Sequence, residues 1–156
     1  MRLKPIGKAD IARLIPHQGA MCLLAGVSHW DEDRIGCHAD SHRDPDNPLR
    51  QQGRLGAACA IEYAAQAMAL HGALLAGYEE APRAGYLTSV REVRLAVATL
   101  DEVAADLEIE VERLMGDENN VMYRFTVSAA GQELACGRAA VRLDAARHLD
   151  DEGAQA

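Results

Sequence analysis

One carboxylate in an apolar segment is the residue of this sequence best placed for acid–base chemistry. The segment AIEYAAQAMALHG, residues 60–72, sets Glu62 and Gln66 among small apolar side chains. Burial strips water from a carboxylate, disfavours its charged form and raises its pKa. The sequence therefore predicts that Glu62 has a raised pKa and is available as a protonated acid, the structural alternative being a glutamate that braces a neighbouring loop.

Two histidines are candidates for the complementary base, because a neutral imidazole accepts a proton near neutral pH. His17 lies in IPHQGAM, where Pro16 restricts the backbone before it and Gly19 permits a close turn. His42 lies in the polar segment SHRDPDNPLRQQGRLG, which is rich in turn-forming residues. The alternative interpretations are a histidine that braces the N-terminal turn for His17 and a solvated loop residue for His42.

The remaining polar residues near these candidates are predicted to be structural. Gln66 follows Glu62 by one helical turn, so it is expected to orient Glu62 or to satisfy backbone groups of a loop. His71 is expected to be a hydrogen-bonded helix histidine. No metal site is predicted, because four ligands at a recognised spacing are absent around Cys37, His38 and His42.

Length, charge and cysteine content limit the class of protein. The 156 residues suit one domain, predicted over residues 1–145 with a flexible tail over 146–156. A net charge of −8 argues against nucleic acid or an anionic membrane as the main partner. The four cysteines form no CxxC pair and no secretory segment opens the chain, so we expect reduced thiols and a cytoplasmic location.

The pattern of apolar residues predicts one long helix and six strands. Residues 56–77 are apolar enough to suggest a membrane span, but Glu62, Gln66 and His71 favour a buried core helix instead. Alternating apolar and polar residues predict strands over 21–30, 33–42, 85–98, 105–116, 120–131 and 132–144. Two strands, a helix and four strands form an α+β domain with one antiparallel sheet around one helix.

Two short motifs then resemble those of a known family. IPHQGAMCLLAGV resembles the LPHRYPFLLVDRV opening of the β-hydroxyacyl-acyl-carrier-protein dehydratases, and IEYAAQAMA resembles their IEAMAQAAG helix. The similarity runs from about Ile11 to Leu143 and is closest to the divergent ApeP-type branch linked to aryl polyene biosynthesis. The resemblance implies the hotdog fold, in which an antiparallel sheet wraps around a central helix.

The sequence departs from the family in the loop before the helix. The family motif H-F-P-x-x-P-x-x-P-G places a catalytic histidine fourteen positions before the helix carboxylate, a position occupied here by Pro48. His42 lies twenty positions before Glu62, without the neighbouring Phe or Pro-Gly. The divergent branch retains the "PH" of the opening segment, so His17 is favoured as the base, with His42 as the alternative.

The resemblance implies dehydration of a 3-hydroxyacyl thioester to the trans-2-enoyl thioester. In this scheme His17 takes the C2 proton, and protonated Glu62 assists loss of the 3-hydroxyl. Amides at the helix N-terminus near Gly56 and Ala57 polarise the thioester carbonyl, and Gln66 completes the substrate-binding set. No cofactor is expected, because the elimination is redox neutral.

The resemblance also implies partners. The substrate would arrive on the phosphopantetheine of an acyl carrier protein, and basic residues that could receive it are Arg50, Arg54, Arg83, Arg91 and Arg94. A homodimer is expected, in which each site takes its histidine from one subunit and its carboxylate from the other, or a heterodimer with a related hotdog subunit. The alternative functions are a hotdog acyl thioesterase and a non-catalytic acyl-binding or partner subunit.

Overall fold

The computed structural model describes residues 5–77, 85–117 and 119–143. Within these ranges the helices and strands are β1 (Ile6–Gly7), α1 (Lys8–Leu14), β2 (Gly26–Trp30), β3 (Arg34–Ala39), α2 (Ala60–Ala76), β4 (Gly85–Leu95), β5 (Leu107–Gly116), β6 (Asn120–Ala129) and β7 (Gln132–Leu143). Short 3-10 turns cover Gly19–Met21, Ser41–Arg43 and Ala57–Cys59.

The strands form one antiparallel sheet in the order β1-β2-β3-β5-β6-β7-β4. Helix α2 packs on the inner face of this sheet, with contacts to β3, β5 and β6. An antiparallel sheet around one long helix confirms the predicted α+β hotdog architecture. The single domain over residues 1–145 stays a prediction, and the predicted tail over 146–156 lies outside the described residues.

Alternation along the central strands determines which side of the sheet faces the core. On β5, Leu107, Ile109 and Val111 are fully buried, while the intervening Glu108 is exposed. Strand β6 adds buried residues at the same period of two, Val121, Tyr123, Phe125 and Val127. The predicted period is therefore confirmed, and the apolar side of the sheet covers α2.

The first predicted strand was too long at its N-terminal end. It was expected over residues 21–30 but β2 begins at Gly26. The reason is that the backbone of Leu23 pairs with side chains instead of with a neighbouring strand: its N–H donates to Gln66 Oε1 at 2.9 Å, and its carbonyl accepts from Ser41 Oγ at 2.9 Å. The segment after Met21 therefore attaches to the helix and to a loop before it joins the sheet.

Two elements near the N-terminus were not predicted. Strand β1 is only two residues long and pairs with β2, with Ile6 opposite Val27. Helix α1 starts where Asp10 Oδ2 accepts the N–H of Gly7, and it ends at Leu14, with Ile15 as its C-cap immediately before Pro16. Both elements are too short to produce a clear period in the sequence.

Helix α2 supplies the main support for the candidate site. It follows the 3-10 turn Ala57–Cys59 and ends at Gly77, whose φ of 97° is a left-handed conformation that glycine adopts without strain. Its small residues Ala60, Ala64 and Ala67 are buried and allow close approach to the sheet. No helix within the described ranges is long and apolar enough to cross a membrane.

Candidate active site

His17 lies in the turn that connects α1 to the Gly19–Met21 segment. The residues on either side of this turn, Ile15 and Leu23, are fully buried, so both ends of the turn are anchored in the core. Between them Gly19 has a φ of 58°, which supports the predicted close turn. The His17 side chain is 25% exposed and is presented at the edge of the core.

Glu62, in the first turn of α2, meets His17 directly. The Nε2 atom of His17 lies 3.4 Å from Oε2 of Glu62, and the Glu62 side chain is 33% exposed. The two leading candidates are therefore brought together, in a position that substrate can reach from solvent. Both belong to the same chain, so the expectation that this histidine and this carboxylate come from different subunits was wrong.

Gln66 holds the histidine turn against α2. Its Nε2 donates to the Met21 carbonyl at 2.7 Å and to Glu62 Oε2 at 3.2 Å, while its Oε1 accepts the Leu23 N–H. Gln66 is fully buried, and both of its amide hydrogens are used within the chain. It performs both of the predicted structural roles, because it orients Glu62 and satisfies loop backbone groups. Its place in the substrate-binding set stays a prediction.

The pKa of Glu62 is lowered, contrary to the sequence-based prediction. The largest cause is the hydrogen bond from His17, and the bond from Gln66 adds to it, whereas desolvation opposes both. Hydrogen bonds donated to the ionised carboxylate lower its pKa by more than partial burial raises it. Glu62 is therefore a carboxylate near neutral pH, and the predicted protonated acid is not its state in the isolated chain.

The second ring nitrogen of His17 has a different environment. Nδ1 is buried and finds no hydrogen-bond partner within the part of the chain that the structure describes. With an N–H at Nε2 directed at Glu62, the lone pair of the neutral ring lies on Nδ1. The contact with Glu62 thus favours a tautomer whose other nitrogen is unprotonated.

His42, the alternative base, is a structural residue. It is fully buried, which corrects the interpretation of a solvated loop histidine. Its Nε2 lies 3.0 Å from the Val103 carbonyl and 3.1 Å from that of Ala105, so this nitrogen is a donor. Burial lowers the pKa of His42 and keeps the ring neutral. The ring therefore ties the loop after β3 to the connection between β4 and β5.

A chain of hydroxyl groups beside the site was missed in the sequence. The Tyr63 hydroxyl lies 2.7 Å from Ser41 Oγ and accepts from Asn47 Nδ2 at 3.2 Å. Ser41 in turn donates to the Leu23 carbonyl. Burial raises the pKa of Tyr63. A tyrosine in a predicted core helix needs a hydrogen-bond partner for its hydroxyl, so the sequence indicated that such a partner exists. It did not indicate which residue the partner is.

The predicted donors at the N-terminus of the helix are partly used elsewhere. The Ala57 N–H donates to the Ala98 carbonyl at 3.0 Å, so it does not point at a substrate. Gly56 is exposed, and a Cβ added there would meet no heavy atom within 4 Å. Of the two residues, Gly56 alone keeps the open surroundings that a thioester carbonyl would need.

The basic residues proposed to receive a carrier protein fall into two groups. Arg50 donates to the carbonyls of Asp44, Gly53 and His42, and Arg54 pairs with Asp101 and Glu102. These two arginines therefore fix the loop before α2. Arg91 and Arg94 are exposed on β4, and Arg83 lies outside the described residues.

The other cysteine and histidine candidates have structural surroundings. Cys37 is buried with a pKa raised to about 12 by desolvation, and the pKa of Cys59 is also raised, first by burial and then by the Glu62 charge. Neither is a ready thiolate.

His71 contacts the Tyr123 hydroxyl and the Asp31 carbonyl, as predicted. Among the described residues no three His, Cys, Asp or Glu side chains are grouped to hold a metal ion.

Two comparisons with known proteins match nearly the whole chain. The family model described as ApeP-like, ApeP dehydratase, matches residues 9–149. A chain of the dehydratase heterocomplex ApeI:P from Xenorhabdus doucetiae is similar with a TM-score of 0.80 and 27% identity, over 96% of this chain and 97% of that chain. No curated protein matches the sequence.

More distant solved structures share the fold. A thioesterase from Pseudomonas aeruginosa, solved as a mutant, has a TM-score of 0.55 and 9% identity over 77% of this chain and 80% of its own. A thioesterase family protein from Silicibacter pomeroyi has a TM-score of 0.54 and 14% identity over 75% and 82%. At these identities the similarity shows the fold alone.

Proposed function

This chain belongs to the ApeP-like dehydratase family, and from that membership we propose that it converts a 3-hydroxyacyl thioester on an acyl carrier protein to the trans-2-enoyl thioester, in fatty-acid-like or aryl polyene biosynthesis. The observation that carries the proposal is the contact between His17 and Glu62 at 3.4 Å. It supplies a base and a carboxylate close enough to act on neighbouring carbons of one substrate.

The elimination requires the pair to accept one proton and to return one. The C2–H bond breaks as His17 takes the proton, the C2=C3 double bond forms, and the C3–O bond breaks. Protonation of the departing hydroxyl gives water. No oxidant or reductant is consumed, so no redox cofactor enters the scheme.

The lowered pKa of Glu62 means that the reaction does not start from a protonated Glu62, as the family-based scheme assumed. Glu62 begins as a carboxylate, so the proton for the hydroxyl is supplied by His17. As the free ring nitrogen, Nδ1, takes the C2 proton, the Nε2 proton crosses the His17–Glu62 contact and produces the carboxylic acid. Glu62 then releases this proton to the hydroxyl, so the pair returns to its starting charge without a separate acid, and the ring regains its starting tautomer by proton exchange before the next turnover.

Gly56 is the residue we assign to the thioester carbonyl. It is exposed beside open space at the start of the Ala57–Cys59 turn, six residues before Glu62. Amides at the start of a helical segment stabilise developing negative charge on oxygen. The phosphopantetheine arm and carrier protein are assigned to the exposed side chains of Arg91 and Arg94 on β4, which leaves the backbone edge of that strand free for another contact.

We assign the outer edge of β4 to a second hotdog subunit. Strand β4 ends the sheet order, and its exposed apolar side chains are Tyr86, Leu87, Val90 and Leu95. An eleven-residue edge with apolar side chains favours pairing with another strand. The similar ApeI:P protein is a heterocomplex, which favours a related but different subunit as the partner.

A hotdog thioesterase remains the second candidate, because one observation favours it. Glu62 is ionised in the isolated chain, and an ionised carboxylate can activate water against a thioester. His17 beside it would then stabilise the charge of the carboxylate. The dehydratase proposal is preferred, because the family model that matches is that of a dehydratase.

Product analysis tests the proposal and separates it from both alternatives. The purified chain, alone and together with a related hotdog subunit, is incubated with a 3-hydroxyacyl carrier protein. Formation of a conjugated enoyl thioester without release of free thiol supports dehydration. Release of free thiol indicates a thioesterase. Enoyl formation by the complex that survives His17→Ala and Glu62→Gln in this chain identifies it as a non-catalytic partner subunit.

A further inference from the structure

We propose that the hydroxyl chain Tyr63–Ser41, which ends on the backbone of Leu23, is a positioning device that holds the turn of His17 in contact with Glu62. The expected effect on turnover rests on the proposed function. The expected effect on the contact between His17 and Glu62 does not depend on which reaction is catalysed. It assigns a role in the site to Tyr63 and Ser41, neither of which touches the His17–Glu62 pair directly in any described contact.

The donors and acceptors along this chain can be placed in one order only. Ser41 has one hydroxyl hydrogen, and it goes to the Leu23 carbonyl at 2.9 Å. Ser41 Oγ must therefore accept the hydrogen of Tyr63, 2.7 Å away. Tyr63 accepts in turn from Asn47 Nδ2 at 3.2 Å, and the same amide nitrogen lies 2.9 Å from the Ser41 carbonyl. Every hydroxyl hydrogen is used, so the chain is fully satisfied.

Leu23 receives this chain on one side and Gln66 on the other. Its carbonyl accepts from Ser41, and its N–H donates to Gln66 Oε1. Gln66 follows Tyr63 by three positions, so both side chains lie on one face of α2. This helix therefore holds the carbonyl of Leu23 through Tyr63 and Ser41, and the N–H of Leu23 through Gln66. Leu23 is fully buried and closes the turn that begins at Ile15. The turn between them carries His17.

The connection matters because the pair tolerates little displacement. The His17–Glu62 distance of 3.4 Å is already long for a strong hydrogen bond. A further shift on the order of 1 Å would break the contact, and misplacements of that size cost up to about 100-fold in rate. Ser41 and Asn47 belong to the loop that differs from the family motif in length and composition. The hydrogen bonds of the hydroxyl chain connect this loop to the turn that carries His17.

Tyr63→Phe tests the proposal, because phenylalanine keeps the volume of the ring and removes only the hydroxyl. We expect kcat for enoyl thioester formation to fall roughly tenfold or more with little change in KM. Independently of any activity, carboxyl NMR titration of the intact protein should show the pKa of Glu62 rising towards that of an ordinary glutamate, because the donor from His17 is displaced. Ser41→Ala should act in the same way, and Ser41→Thr, which retains the hydroxyl, should restore both properties.

Tyr123→Phe is the matched control. It also removes a buried tyrosine hydroxyl that is bonded to a side chain, His71 at 2.9 Å, but at a different place in the core. This control should leave kcat and the titration of Glu62 unchanged. An unaltered Glu62 titration in Tyr63→Phe, or an equal change in Tyr123→Phe, would overturn the positioning role. A wild-type protein without dehydratase activity would instead refute the proposed function, while the titration would still decide the positioning.

Discussion

His17 and Glu62 of one chain lie in contact, with Nε2 of the histidine 3.4 Å from Oε2 of the glutamate. The turn after α1 presents the histidine and the first turn of α2 presents the carboxylate, while Gln66 contacts both the carboxylate and the backbone of the turn. Both members of the pair therefore come from one chain. The predictions below follow from this arrangement.

Exchange of subunits should not restore activity to complementary variants. If His17→Ala and Glu62→Ala chains are mixed, each chain still lacks one member of its own pair, so activity should stay at the level of the separate variants. Subunit exchange is verified by mass spectrometry of differently labelled chains. Recovery towards a quarter of the wild-type rate, the value for a site shared across a symmetric dimer after random mixing, would contradict the one-chain pair.

The two candidate histidines should respond to alanine in opposite ways. His17→Ala should lower turnover on the order of 100-fold and cost less stability than His42→Ala, because it removes the base from a partly exposed turn and one contact with Glu62. His42→Ala should instead lower the free energy of unfolding by about 1–3 kcal/mol, because the carbonyls of Val103 and Ala105 lose a buried donor. Turnover of folded protein and urea denaturation measure the two effects. If His42→Ala abolished turnover in folded protein, the base would belong in the loop.

The stability contributed by Glu62 should be lost in acid. Its pKa in the folded chain lies below the ordinary value of 4.5, so its bonds from His17 and Gln66 stabilise the protein above pH 4.5. That contribution disappears as the pH falls through the lowered pKa. The difference in unfolding free energy between wild type and Glu62→Gln, measured by urea denaturation from pH 7 downwards, should therefore shrink on acidification.

Glu108→Gln provides the control for this pH series, since it removes one negative charge from an exposed position on β5. Titration of the buried histidines affects all three proteins alike and cancels in the difference. A difference that increased as the pH fell from 7 towards 4.5 would indicate a raised pKa for Glu62, as the sequence alone suggested.

Gln66→Leu should be strongly destabilising despite its similar size. It leaves the N–H of Leu23 unpaired in a buried position, at about 1–3 kcal/mol, and it also removes the donor to the partly buried Met21 carbonyl. The same substitution at the exposed Gln132 should change the unfolding free energy little. Chemical denaturation of both variants measures the effect, and equal stability of the two would mean that Gln66 does not hold the turn.

Much of the fold could be predicted because it depends on local periodicity. The buried Leu107, Ile109 and Val111 alternate in the sequence as they do on β5. The part that could not be predicted involves backbone groups that pair with distant side chains. Leu23 looks like a strand residue, but its partners are Gln66 and Ser41, and no local pattern reveals that choice.

The sequence led to two residues that the structure brings into contact, but the predicted electrostatics were wrong. Residue type selected Glu62, whereas His17 was preferred to His42 because of its constrained turn and the resemblance of the opening motif to the divergent branch. The direction of the Glu62 pKa was not accessible, because burial can be guessed from apolar neighbours, whereas the opposing hydrogen bonds depend on which side chains meet in space. The burial of His42 in a polar loop was hidden for the same reason.

A double-mutant cycle on turnover tests the central claim, that His17 and Glu62 of one chain act together on the substrate. Rates of enoyl thioester formation are measured for wild type, His17→Ala, Glu62→Gln and the double variant, in the same complex and at saturating substrate. Because protons pass between the two residues in the proposed scheme, the double variant should be about as slow as the slower single variant. Losses that multiply in the double variant would show that the two residues act independently and would contradict the catalytic pair.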